Sequence, residues 1–95
     1  MIYEITDPLE RIYRFLLSNN LVRSAADFSR MMGRSRTYHN TLRLQHRTPS
    51  PEAWDNLSLG LHRLLGQPIH CETRMVIRQF ISEIRDRQIG GEVLP

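Results

Sequence analysis

Residues 24–47, SAADFSRMMGRSRTYHNTLRLQHR, are crowded with arginine, histidine, asparagine and threonine, side chains suited to holding anions and reading base edges. From residue 29 through residue 50 there is no Asp or Glu, while Arg30, Arg34, Arg36, Arg43 and Arg47 fall inside that window with His39 and His46 as further donors. All 13 basic residues of the chain are arginine. That choice suits bidentate contacts to phosphate and guanine, although a bias in genomic base composition produces the same pattern. A charge run in an arbitrary protein is usually a solvated face. Here it coincides with two short helical patterns around a tight turn, which shifts the reading toward DNA.

Bond-breaking chemistry has no comparable seat. His39, His46, His62, His70 and Cys71 contain no i, i+4 pair and no close paired spacing of the zinc-site kind, so no metal is expected. His70-Cys71-Glu72 sets a nucleophile beside a base, but adjacent side chains rarely aim at one point, and the triplet reads as linker. No glycine-rich phosphate loop, paired catalytic carboxylates or nucleophile elbow is present. The expectation is a non-enzyme with no cofactor.

The elements that must position the basic window follow from periodicity and capping. Ala25, Phe28, Ser29 and Met32 recur at i, i+3, i+4 and i+7, one buried helical face, and Gly33 can close that helix in the left-handed conformation. Ser35 reads as the cap of a second helix from Arg36 to about Leu44. Upstream, Asp7 as cap, Pro8 at the first helical position and Glu10 as capping-box carboxylate predict a helix to about Ser18. Leu9, Ile12, Tyr13 and Leu16 form its stripe, and Asn19-Asn20 end it. Residues 1–6 alternate weakly, as a short strand or an extended arm.

Downstream, Ser50-Pro51-Glu52 repeats the cap, proline and acid pattern, and Trp54, Leu57, Leu61, Leu64 and Leu65 form a stripe able to close the core over the first three helices before Gly66. A linker at 67–73 contains Pro68 and ends in Thr73 as a cap, and a C-terminal helix at 74–88 carries Val76, Ile77, Phe80, Ile81 and Ile84. The tail, 89–95, contains Gly90-Gly91 and is expected to be mobile or a short extended segment. Residues 7–66 therefore read as one domain, and the whole as all-α, a compact bundle of about five helices containing a helix-turn-helix.

At this point the residues resemble a known family. Ser29 four positions before Gly33, Ser35-Arg36 at the mouth of the second helix and Leu42 nine positions after the glycine are similar to the phage-repressor-like helix-turn-helix of lambda repressor and Cro, also called the XRE type. The likeness runs over residues 9–65, since RTPSPEAWDNLSLGLHRLL is similar to that family's following loop and fourth helix. Two positions depart: Ala25 stands where the family has glutamine, and His39 where it has an aliphatic core residue. The resemblance implies a lambda-repressor-like fold and sequence-specific binding of double-stranded DNA by a phage, plasmid or bacterial transcriptional regulator, most simply a repressor.

With Ser35 starting the second helix, steps of 100° place Ser35, His39 and Leu42 inward and Thr37, Asn40 and Thr41 outward, with Arg36 at their flank. Arg36, Thr37, Asn40 and Thr41 are the candidates for base contact: arginine to guanine, asparagine to adenine, threonine methyls to thymine. Arg23, Ser24, Arg34, Ser35, Tyr38, Arg43, Arg47 and Thr48 are the candidates for phosphate contact, with packing the equal alternative for Tyr38. Val76, Ile77, Phe80, Ile81 and Ile84 span more than one face, which suggests a homodimer interface that would present two second helices to a palindromic operator. An alternative keeps the fold as a protein-interaction module, such as an antitoxin or adaptor, with the C-terminal helix holding a partner protein.

Size and charge are consistent with this. Ninety-five residues suffice for one small core, and a net charge of +3 matters less than its concentration in the second helix. The apolar residues are too scattered for a membrane span, and Glu4 and Asp7 interrupt any signal-peptide pattern at the start. A lone Cys71 fits a reducing compartment, so the expected location is cytoplasmic.

Overall fold

A computed structural model describes residues 8–92, with side chains described through residue 86. Among these residues the chain is all-α, with five helices: α1 Pro8–Ser18, α2 Ala25–Met31, α3 Tyr38–Gln45, α4 Pro51–Leu65 and α5 Cys71–Glu92. None of them is long and apolar enough to cross a membrane. The chain divides into two compact units, one through Thr48 and one from Pro49. That boundary falls inside the 7–66 span expected to form one domain. The arm at 1–6 and the cap expected of Asp7 lie outside the described residues.

In the first unit α1 buries Leu9, Ile12 and Leu16, the predicted stripe, with Tyr13 half-buried beside them. Each of the three helices there ends in the same way. Leu21 N–H reaches Leu16 C=O (2.8 Å), Arg34 N–H reaches Ser29 C=O (3.1 Å) and Arg47 N–H reaches Leu42 C=O (3.0 Å), each closing a Schellman turn. That motif needs a left-handed residue just before the donor. Asn20 (φ 59°), Gly33 (φ 73°) and His46 (φ 51°) supply it. Gly33 behaves as its sequence position predicts; His46 does the same job with a side chain that disfavours it.

At the start of α2, Ser24 Oγ accepts from Asp27 N–H (3.3 Å), and Asp27 Oδ2 accepts from Arg23 N–H (3.1 Å). Phe28, Ser29 and Met32 are fully buried, as predicted, while Ala25 is only half-buried.

The start of α3 corrects the sequence expectation. The helix begins at Tyr38, two residues later than Arg36, and Ser35 is exposed rather than inward. The physical reason lies in α2. Ser29 Oγ, fully buried, donates to Ala25 C=O (2.9 Å) and accepts from His39 N–H (2.9 Å), so the second N–H of α3 is satisfied from another helix. Ser35 is then free to form a turn, with Tyr38 N–H on Ser35 C=O (3.0 Å) and the Ser35 and Thr37 hydroxyls 3.4 Å apart.

In the second unit, Ser50 Oγ accepts from Ala53 N–H (3.2 Å) with Pro51 at the first helical position, as the sequence predicts. Trp54, Leu57, Leu61 and Leu64 are buried. Gly66 ends the helix in a right-handed conformation (φ −81°), and the carbonyls left over at Leu65 and Gln67 accept from the guanidinium of Arg74. A cation at the C-terminal end of a helix also opposes the negative end of its dipole.

Three expectations for the C-terminal segment are corrected. α5 starts at Cys71, not after Thr73, because His70 caps it: Glu72 N–H donates to His70 Nδ1 (3.2 Å) and Arg74 N–H to His70 C=O (2.9 Å). The link between helices is accordingly shorter than 67–73. The helix then runs past residue 88 to Glu92 and takes Gly90-Gly91 into its backbone, where an extended or mobile tail was expected.

Candidate nucleic-acid interface

The candidate interface centres on α3, whose register is fixed by what it buries. His39 and Leu42 are 1% and 7% exposed, the two predicted inward positions on the helix. Thr37, Asn40 and Thr41 are exposed on the opposite side, and Arg36 is exposed in the turn that leads into the helix. Thr41 Oγ1 donates to Thr37 C=O (3.0 Å).

The candidate anchoring residues divide by their partners. Arg23, Ser24, Arg34, Ser35, Arg47 and Thr48 are exposed. The Ser24 hydroxyl accepts from the backbone of α2, and Arg47 Nη1 lies 3.5 Å from Gln45 Oε1. Tyr38 is half-buried with the Arg34 guanidinium 5.4 Å from its ring centroid, so packing and display of Arg34 are combined in one side chain.

Arg43 is held differently. Its Nη2 and Nε donate to the two oxygens of Glu10 (2.6 and 3.3 Å), and Arg14 Nε donates to the same carboxylate (3.2 Å). His39 Nε2 lies 3.6 Å from Glu10 Oε1, and the Tyr13 ring sits between His39 (centroids 4.6 Å apart) and the Arg43 guanidinium (5.8 Å). Burial raises the Glu10 pKa, but the hydrogen bonds from Arg43 and Arg14 and the charges of Arg43 and His39 outweigh it, and the net shift is downward. The capping-box partner expected for Glu10, Asp7, lies outside the described residues. Within them Glu10 ties α1 to α3, and it neutralises much of the charge that Arg43 would offer a phosphate.

Arg34, Arg36 and Arg47 are exposed within the acid-free window, and Arg30 lies 4.0 Å from Asp27. Sequence reasoning missed the Glu10–Arg43 pair, since nothing links positions 33 apart. It also missed the Ser29–His39 bond, although a small polar residue on the buried face of α2 was a usable signal.

The residues expected at a dimer interface lie on α5. Ile77, Phe80, Ile81 and Ile84 are 0–7% exposed within the single chain, and Val76 is half-buried. Among the described residues, Met75 is the exposed large apolar residue of α5.

No curated protein and no solved structure is significantly similar to the chain. A family model does match, over residues 9–81, a span that takes in α1 through α4 and α5 as far as Ile81. The chain therefore belongs to the family described as a family of unknown function, DUF6626.

Proposed function

We propose that the protein is a sequence-specific double-stranded DNA-binding transcriptional regulator that places α3 in the major groove. One observation carries this reading: α3 buries His39 and Leu42 and turns Thr37, Asn40 and Thr41 outward, with exposed Arg34, Arg36 and Arg47 around them and no Asp or Glu from residue 29 through residue 50. A helix with polar base-reading side chains on one face and arginines at its margins has the composition that groove recognition requires. The division of labour follows from position. Arg36, Thr37, Asn40 and Thr41 read bases; Arg23, Arg34, Arg47 and Thr48 anchor phosphates; Arg43 chiefly holds α3 through Glu10.

The resemblance to the lambda-repressor class supports the same reading, and a cytoplasmic location goes with it. The interaction-module alternative would use α5, whose row Ile77, Phe80, Ile81 and Ile84 is buried within the single chain. Selection of bound duplexes from a random pool tests the proposal, and a common sequence among the retained duplexes is the expected result. Affinity for the selected site should fall with salt at a log–log slope of about −0.9 per phosphate neutralised. No retained DNA at low salt, or binding indifferent to salt, overturns it.

A further inference from the structure

The most exposed large apolar side chain described is Leu44, at 82%, and it lies on α3. Its position matters more than its exposure, since single exposed leucines are ordinary on protein surfaces. With 100° per residue, Leu44 falls close to diametrically opposite the seam midway between His39 and Leu42. Thr37 and Thr41 flank it on one side and Asn40 on the other, all three exposed. The apolar residue is thus at the centre of the outward face, and the polar residues are at its edges.

We infer that Leu44 is a specificity-determining residue that packs on the 5-methyl group of a thymine in the major groove. The inference rests on the DNA-binding reading and adds a named base to it. Charge complementarity selects the occupant: the face lies in an acid-free window with exposed Arg36 and Arg47 near its two ends, which favours a polyanion. Within the major groove the thymine methyl is the apolar feature, and an aliphatic side chain is its complement. Leu44 is seven residues beyond Thr37, about 10 Å along the helix axis, or roughly three base-pair steps. The preferred thymine should therefore lie about three steps from the pair faced by Thr37, and the site should not be read by the first turn of α3 alone.

The test uses full-length protein and the duplex recovered by selection. Each thymine is replaced in turn by deoxyuridine, which removes one methyl and keeps the Watson–Crick pairing, and affinities are measured for the natural protein and for Leu44→Ala. The natural protein should lose about fourfold at one thymine, roughly the worth of one buried methyl group. Leu44→Ala should be indifferent at that thymine and should respond like the natural protein elsewhere. Because Leu44 is on the surface, unchanged thermal melting of the variant confirms that the fold is intact.

Identical responses of the two proteins at every thymine, with both still binding DNA, overturn the assignment of Leu44 while leaving DNA binding standing. Self-association of the natural protein that Leu44→Ala abolishes, with no difference at any thymine, also overturns it and gives the face to a second copy. Failure of the natural protein to bind any duplex instead removes the underlying reading.

Discussion

Helices α3 and α5 solve opposite problems. α5 has 22 residues and buries an apolar row, Ile77, Phe80, Ile81 and Ile84; α3 has eight and buries only His39 and Leu42. Apolar burial alone can hold the longer helix, at roughly 25 cal/mol per Å² of apolar surface removed from water. The shorter one is held largely by directional polar contacts from elsewhere in its unit: the Ser29 hydroxyl on its second N–H and the Glu10 carboxylate on Arg43. The difference suits a helix whose outer face must stay free. A binding helix with little apolar surface to bury needs its orientation fixed by groups on other helices.

The sharpest test of the contrast is Ile77→Ala. A fully buried isoleucine truncated to alanine should cost about 2–5 kcal/mol of stability, read from urea denaturation. DNA affinity of the folded fraction should be unchanged. If stability were instead preserved while self-association disappeared, the row on α5 would be an interface after all.

At α3 the corresponding prediction concerns binding rather than folding. Arg36→Ala or Thr37→Ala should weaken the selected site by about 1–3 kcal/mol with no change in melting temperature, whereas Arg47→Ala should weaken all duplexes alike. A change in base preference with Arg47→Ala but not with Arg36→Ala would exchange the roles of the two arginines.

The polar ties of α3 can be cut one at a time. Ser29→Ala removes the acceptor for a buried His39 N–H and should cost about 1–3 kcal/mol. A smaller effect is expected at Glu10, whose partner Arg43 is largely exposed. Its lowered pKa fixes the sign: the contribution is fully present above the ordinary glutamate value of 4.5 and is lost as pH falls through the lower folded-state value. Glu10→Gln should therefore lower stability at neutral pH and flatten its decline in acid; parallel acid profiles for the two proteins would show that the carboxylate contributes nothing.

How much of this was legible in the sequence follows from the range of each interaction. The inward positions of α3 were readable because they depend on local periodicity, and Gly33 because its conformation depends on the residue itself. The start of α3 was not, since Ser35 had a cap's sequence, but its carbonyl takes the Tyr38 N–H in a turn and His39 N–H is held by Ser29 from α2. The stripe of α5 was readable as apolar, and Ile77, Phe80, Ile81 and Ile84 are buried within the single chain, but periodicity says only which side chains seek cover and not what covers them. Leu44 shows the converse case. It lay inside the expected helix, where 100° steps already turn it outward, and its exposure in α3 is what singles it out.

His46 offers the smallest effect and a direct measure of strain at the far end of α3. It occupies the left-handed position of the Schellman turn at φ 51°, where the Cβ of an L-residue meets the following carbonyl at a cost of about 1–2 kcal/mol. Glycine has no such penalty but loses more backbone entropy on folding, about 0.5–1 kcal/mol relative to alanine elsewhere in helices and strands. The balance favours His46→Gly by somewhat under 1 kcal/mol. A rise in melting temperature of a few degrees is expected for a domain of this size. If the same variant also lost affinity for every duplex equally, the imidazole would be a phosphate contact; if it melted lower, the left-handed turn would be held by histidine contacts worth more than the strain.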